Sequence, residues 1–262
     1  MRKAVFALAQ ALRITGPFNV QFLFRKDVFK VIECNVRASR SMPFVSKATG
    51  IDFIAEAMRA ILGKAPRTVS PASRSRSTSF VAVKAPMFSF RSLPFADPVP
   101  GVEMAATGEV GCFGKNLGEA LGLALVSTGF RWPEKAVLLS IGPGRKLPVR
   151  EARALSHLGL ALCATPETAQ RLRQRGLFCA SVEPVKTAAL LQGRGVDLVV
   201  SLPDPGRIHD PGGLRRAAVD LEIPLFTNES LFRAVVRMLL QFGPAAGRDL
   251  LDALPCLSEV AF

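Results

Sequence analysis

FNVQFLFRKDVFKVIECNVRASRS, residues 18–41, places two runs of β-branched and aromatic residues on either side of a charged connection, Arg25-Lys26-Asp27. FNVQFLF (18–24) and VFKVIEC (28–34) read as strands, and the short polar link between them makes a hairpin. Folding the pair about Asp27 sets positions that sum to 54 opposite one another, so Gln21 faces Glu33. Directly opposed residues share a face of the sheet, and Asn35, two residues along, lies on that face as well. Carboxylate and amide oxygens suit a hard cation such as Mg2+, which completes its shell with water and nucleotide phosphates. Arg37 and Arg40 follow just beyond the strand, where guanidinium forks can hold phosphate oxygens. The same pattern describes a hairpin with a polar, solvated face, and the residues by themselves leave both readings open.

Working outward, residues 2–13 have the apolar spacing of an amphipathic helix leading into the first strand. Arg2, Lys3 and Arg13, with no acid before Asp27, also fit the composition of a transit peptide. Ile51 to Leu62 is an amphipathic helix stopped by Gly63. The next stretch, KAPRTVSPASRSRSTS (64–79), is Pro, Ser, Thr and Arg, and no acid occurs between Glu56 and Asp97. It reads as a basic linker. FVAVKAP (80–86) is a strand, TGEVGCFG (107–114) is punctuated by glycine, and 118–129 is a helix.

From Glu134 the rhythm becomes alternating β and α. Strands fall at 136–141, 160–164, 196–202 and 223–227, and helices at 149–158, 166–175, 213–221 and 230–241. Apolar strands without alternation are buried on both faces, as in a parallel sheet. The class is therefore α/β, with a parallel sheet in the second half.

The 262 residues suffice for two domains. Lys and Arg number 34 against 21 Asp and Glu, a formal charge of +13. That permits phosphorylated metabolites, acidic lipid or nucleic acid as partners. The basic residues are spread along the chain, and with one Trp and no Tyr a base-stacking platform would rest on Phe alone, so nucleic acid is disfavoured. No apolar run reaches the roughly 18 residues of a membrane span. Five cysteines without a CxxC pair fit a reducing compartment, and two histidines, His157 and His209, argue against a Cys/His zinc site.

A second constellation lies in CATPETAQRLRQRG. Thr165 stands at an N-cap, Pro166 at N1, Glu167 in the first turn and Thr168 at N3. Free N–H groups and two hydroxyls there make an anion pocket. Ser140 ends the preceding strand and Lys146 follows Gly142-Pro143-Gly144, so both reach the same crevice at the strand ends. A well-capped surface helix explains the pattern equally. His209-Asp210 before Arg215-Arg216 reads as a structural loop, and Arg171, Arg173 and Arg175 as a solvated helix face.

GPFNVQFLF…VIECNVRASRSMPFVSKATG strongly resembles the end of the second ATP-grasp unit of the carbamoyl-phosphate synthetase large subunit. FVAVKAPMFSF (80–90), Asp97-Pro98, EMAATGEVGCFG (103–114) and LVSTGF (125–130) continue the likeness, and the βα tail resembles that family's methylglyoxal-synthase-like regulatory domain. ECNVRASRS and KAPMFS look closer to the animal mitochondrial, ammonia-using form than to bacterial ones, and the aspartate-pathway multienzyme is similar but a poorer match. The resemblance implies an ATP-grasp C-terminal lobe over 1–66, a linker over 67–79, the remainder of that unit over 80–133 and the allosteric domain over 134–262.

It implies that Gln21, Glu33 and Asn35 hold Mg2+ or Mn2+ bridging ATP phosphates, that Arg37 contacts phosphate, and that Arg40 assists it in catalysis. It places an effector, N-acetyl-L-glutamate or a nucleotide, at Ser140, Lys146, Thr165 and Thr168. Carbamoyl phosphate would form from bicarbonate, by way of carbamate, with ammonia and ATP, the ammonia supplied free or by a glutaminase domain. The setting would be the mitochondrial matrix or the cytoplasm. The family's nucleotide-covering lobe lies upstream of anything in these residues, so 1–262 alone is expected to be inactive. The alternative is a non-catalytic, small-anion-binding module. The family resemblance also places residues 2–13 as a helix rather than a leader. Three departures weaken effector binding: Ser201 in place of Asn, Asp204-Pro205-Gly206 in place of an Asn-rich run, and no Trp after Val182.

Overall fold

The computed structural model describes residues 1–65, 67, 80–94, 96–101, 105–206 and 210–243. Nearly all of the expected linker, together with His209 and Cys256, lies outside the described residues. Contacts divide the described residues into two compact units, one ending at Arg67 and one starting at Phe80.

The first unit runs α1 (Arg2–Ala11), β1 (Asn19–Arg25), β2 (Val28–Asn35), α2 (Ser41–Thr49) and α3 (Phe53–Ile61). β1 and β2 form an antiparallel hairpin closed by Lys26 and Asp27, with Arg25 opposite Val28 and Lys26 at φ 53°. The register shifts between Gln21 and Phe22: Phe22 pairs with Val31, Gln21 with Glu33, and Ile32 is the extra residue of a bulge. α3 starts at Phe53 because the Asp52 carboxylate accepts from the N–H groups of Ile54 (3.1 Å) and Ala55 (2.9 Å). The sequence reading leaves α2 unassigned, since Pro43 sits within it. Proline falls here in the first helical turn, where its missing N–H has no helical partner to lose. Gly50 then ends α2 at φ 68°. No residue of 1–65 is buried.

The second unit opens with β3 (Val81–Met87) and β4 (Gly108–Gly114), an antiparallel pair covered by α4 (Leu117–Ser127). The glycine-punctuated stretch is thus a strand. Asn116 caps α4 by accepting from Glu119 N at 3.1 Å. The chain continues β5 (Ala136–Ile141), α5 (Val149–His157), β6 (Ala161–Ala164), α6 (Pro166–Arg173), β7 (Ala180–Ser181), α7 (Pro184–Gln192), β8 (Leu198–Leu202), α8 (Leu214–Asp220), β9 (Leu225–Phe226) and α9 (Glu229–Phe242). β7 and α7 are not read from the sequence, although Pro184 at N1 and Gly193 past the end are the helix's own punctuation.

The five strands are parallel in the order β7-β6-β5-β8-β9. β5, β6 and β7 step outward in one direction, and the chain then returns to place β8 on the other side of β5. The strand order therefore reverses between β5 and β8. Val137, Leu139 and Ile141 of β5 join one core with Leu198, Val200 and Leu202 of β8 and Phe232, Val235 and Leu239 of α9. Leu121 and Leu125 of α4 belong to that same core. Packing draws a line at residue 80, where the expected linker over 67–79 ends. Among the described residues no helix is long and apolar enough to cross a membrane.

Candidate metal and anion sites

The hairpin brings three of the expected ligands together. Gln21 and Glu33 are direct cross-strand partners, and Asn19 pairs with Asn35. Asn35 Nδ2 donates to Glu33 Oε1 at 2.8 Å, so the amide and the carboxylate meet on one face. Glu33 and Gln21 are exposed and Asn35 half-buried, which leaves the donors open to an incoming ion. Among the described residues no group of three or more His, Cys, Asp or Glu is placed to hold a metal ion. The donor set is one carboxylate and two amides, all oxygen. That fits Mg2+ or Mn2+, which bind through few protein oxygens and take the rest from water and phosphate. Arg37 turns its Nη1 to Ala38 O (3.0 Å), while its own N–H donates to Asn35 O (2.9 Å), tying the loop to the end of β2. Arg40 stands at the N-cap of α2.

At the strand ends of the second unit the arrangement departs from expectation. Thr165 occupies the N-cap of α6 but makes no side-chain cap bond. Its hydroxyl donates instead to Thr168 Oγ1 at 3.0 Å. Thr168 is fully buried; it accepts from Ile141 N (2.9 Å) and donates to Ile141 O (3.3 Å). Thr168 therefore pins the end of β5, with no hydroxyl face toward solvent. Ser140 is half-buried beside Ser201, its β8 partner, and Lys146 is exposed.

Arg171 is half-buried and spends its guanidinium on backbone carbonyls, whereas Arg173 and Arg175 are exposed as expected. Arg171 donates to Gly142 O (3.0 Å), Ile141 O (3.4 Å) and Arg145 O (2.6 Å), and Arg173 Nη2 to Cys179 O (2.8 Å). Two residues apart on a helix, Arg171 and Arg173 point to different sides, so Arg171 meets the loop after β5 and Arg173 the loop before β7.

Asp210 is a loop and cap residue, as the sequence suggests: its carboxylate accepts from Arg215 N (3.0 Å) and Arg216 N (3.3 Å) at the start of α8. The partner missed by sequence reasoning is the half-buried Asp97, which takes the buried Arg215 guanidinium on both oxygens. Its signal was an isolated acid following forty residues without one.

An oxygen-donor hairpin in one unit, followed in the chain by a unit built on a five-stranded parallel sheet, is consistent with an ATP-grasp segment followed by an MGS-like domain. Residues 1–67 match the family described as carbamoyl-phosphate synthase L chain, ATP binding domain, and residues 149–227 match the MGS-like domain. The chain is 40% identical over 261 residues to the multifunctional protein pyr-3 of Neurospora crassa, covering 92% of this chain and 14% of that one. It is 37% identical over 258 residues to the mitochondrial ammonia carbamoyl-phosphate synthase of Aquarana catesbeiana, covering 93% and 17%. The Homo sapiens counterpart is 38% identical over 250 residues, covering 87% and 16%. The chain belongs to the carbamoyl-phosphate synthase large-subunit family and corresponds to its C-terminal part. It spans about a seventh of the length of the first of these relatives. Ammonia-using and multifunctional relatives stand so close in identity that identity does not separate them.

Proposed function

We propose that this chain supplies the metal-holding hairpin and the regulatory domain of a carbamoyl-phosphate synthase that makes carbamoyl phosphate from bicarbonate, ammonia and ATP. Gln21, Glu33 and Asn35 would hold Mg2+ or Mn2+, which supplies charge neutralisation across the ATP phosphates during phosphoryl transfer. Arg37 and Arg40 place guanidinium groups where phosphate oxygens arrive, orienting the nucleotide and adding positive charge as the phosphoryl group moves to carbamate. The single observation that carries the reading is the pairing of Gln21 with Glu33, extended by the Asn35 bond to Glu33, inside a segment matching the ATP-binding family. Phosphoryl transfer depends on clamping the nucleotide from two sides, and the described residues offer one side, so the polypeptide 1–262 assayed by itself is read as inactive. The strand-end crevice, with Ser140, Lys146 and Thr165, is the place for an effector such as N-acetyl-L-glutamate, UMP or IMP. The mitochondrial relatives support a mitochondrial matrix setting, with the cytoplasm as the alternative.

The test transplants 1–262 into the matching position of the human ammonia-using relative. The chimera should form carbamoyl phosphate with ATP, and Glu33→Gln should reduce the rate by about a hundredfold or more. An unaffected rate in the Glu33→Gln chimera, or robust turnover by 1–262 alone, would overturn the reading.

A further inference from the structure

The reversal of strand order between β5 and β8 makes the crevice beyond their C-terminal ends the place where a ligand of a parallel sheet is expected. The loop Gly142-Pro143-Gly144-Arg145 leaves β5 there. The carbonyls of Ile141, Gly142 and Arg145 accept from Arg171, and Arg145 Nε donates to Pro203 O at 2.8 Å. The Gly144 N–H donates to Asp204 Oδ1 at 3.0 Å. Asp204 follows β8 by two residues, so one carboxylate closes the crevice between the two strand ends.

The fit is close. A Cβ on Gly142 would stand 2.5 Å from Asp204 Oδ1 and 2.8 Å from Asp204 N, and one on Gly144 3.1 Å from the same Oδ1. The glycines let an oxyanion approach the one backbone N–H of this loop not spent on a carbonyl, that of Gly144, since Gly142 N donates to Leu202 O and Arg145 N to Gly142 O. That N–H already holds an oxyanion, and it belongs to the chain.

We propose that Asp204 is a built-in anion occupying the oxyanion position of the β5–β8 crevice, so that a phosphate or carboxylate ligand binds there only when that side chain is withdrawn. A carboxylate presents the same acceptor oxygens to Gly144 as either ligand would. Its charge also repels a second anion at contact distance. The unit is therefore self-filled at the position where the proposed effector would seat its anionic group. The inference rests on the crevice being the anion site and is independent of any metal at the hairpin.

The experiment uses the 262-residue chain, with inorganic phosphate and acetate as probes at constant ionic strength. Calorimetry should give no saturable heat with the unmodified chain. Asp204→Gly, or Asp204→Ala should the glycine loosen the loop, should bind phosphate at least about tenfold more tightly. The Gly144 amide resonance should shift on titration. Asp204→Asn removes the charge but leaves an acceptor on Gly144, and should gain much less. Equal phosphate binding by the unmodified chain and a folded Asp204→Gly would overturn the proposal. So would an Asp204→Asn gain as large as that of Asp204→Gly, or binding that leaves the Gly144 amide unmoved. The acetate arm tells carboxylate from phosphate selectivity. Titrating the unmodified chain with N-acetyl-L-glutamate tests the regulatory reading separately.

Discussion

Arg215 and Asp97 lie 118 residues apart in the chain and form a bidentate ion pair, with Arg215 Nε to Asp97 Oδ1 at 3.0 Å and Nη2 to Oδ2 at 2.5 Å. Arg215 is 1% exposed and also reaches Ser201 Oγ at 3.4 Å, so a charge on α8 secures the segment after β3 to the end of β8. Removing one partner of a buried pair leaves an uncompensated charge, whereas removing both does not. Asp97→Ala should destabilise the second unit by about 3 kcal/mol, the low end of such losses, because Asp210 remains 3.8 Å from Arg215. Asp97→Ala combined with Arg215→Met should recover part of the loss in urea denaturation. A single variant as stable as the unmodified chain would show that the pair holds nothing.

Gly114 ends β4 where α4 crosses it. A Cβ there would lie 2.4 Å from Ala120 N and 3.0 Å from Ala120 Cα, and neither is a flexible side-chain end that could move aside. Gly114→Ala should therefore push the helix off the β3–β4 pair and cost about 2 kcal/mol. Gly101, with open space around its own added Cβ, is the matched control and should change stability by less than about 0.5 kcal/mol. Thermal melts of the two variants side by side decide it, and equal midpoints would refute the packing argument.

The two units differ in what they bury. α3 exposes Ile54, Met58 and Ile61 (48%, 51% and 59%) along one stripe, and no residue of 1–65 is buried. The second unit has a continuous apolar core from Leu121 to Leu239. Stability follows the apolar area removed from water, so residues 80–243 expressed alone should melt cooperatively. Residues 1–67 alone should show no sigmoidal transition by circular dichroism. A cooperative melt of 1–67 would mean that its helices and hairpin suffice without a covering surface.

The hairpin was legible in the sequence because cross-strand pairing is a short-range matter. Opposing Gln21 to Glu33 needs only a turn and two strands. Yet the turn is not centred on Asp27: Arg25 faces Val28, and the bulge at Ile32 restores the Gln21–Glu33 pairing. The parallel strands were legible because AVLLSI and VDLVVSL are apolar on both faces. β7 was not, because two residues, Ala180 and Ser181, carry no period. Arg171, Asp97 and the Asp204–Gly144 bond escaped for a different reason. Their partners come from loops brought together only by the folded sheet, and no spacing rule connects residue 97 to 215. The repulsive character of Asp204 was readable from its charge, but its seat on Gly144 was not.

Burial raises the pKa of the thiols of Cys112, Cys163 and Cys179; the charge of Cys179 raises that of Cys163 further, while a bond from Ser127 and the nearby Arg173 partly offset the rise at Cys112 and Cys179 respectively. In the unfolded chain these thiols ionise near pH 8.5. Above that pH the unfolded state has lost protons that the folded state keeps, so unfolding becomes more favourable as pH rises. The contribution is neutral below the unfolded thiol pKa. Stability falls from there until the folded thiols ionise too. The chain has no Tyr, which removes one other group that titrates in this range. Under reducing conditions the melting midpoint should fall between about pH 8 and 10, and Cys112→Ala/Cys163→Ala/Cys179→Ala should flatten the fall whatever its own stability at neutral pH. Parallel pH slopes for the two proteins would show that thiol burial has no part in alkaline unfolding.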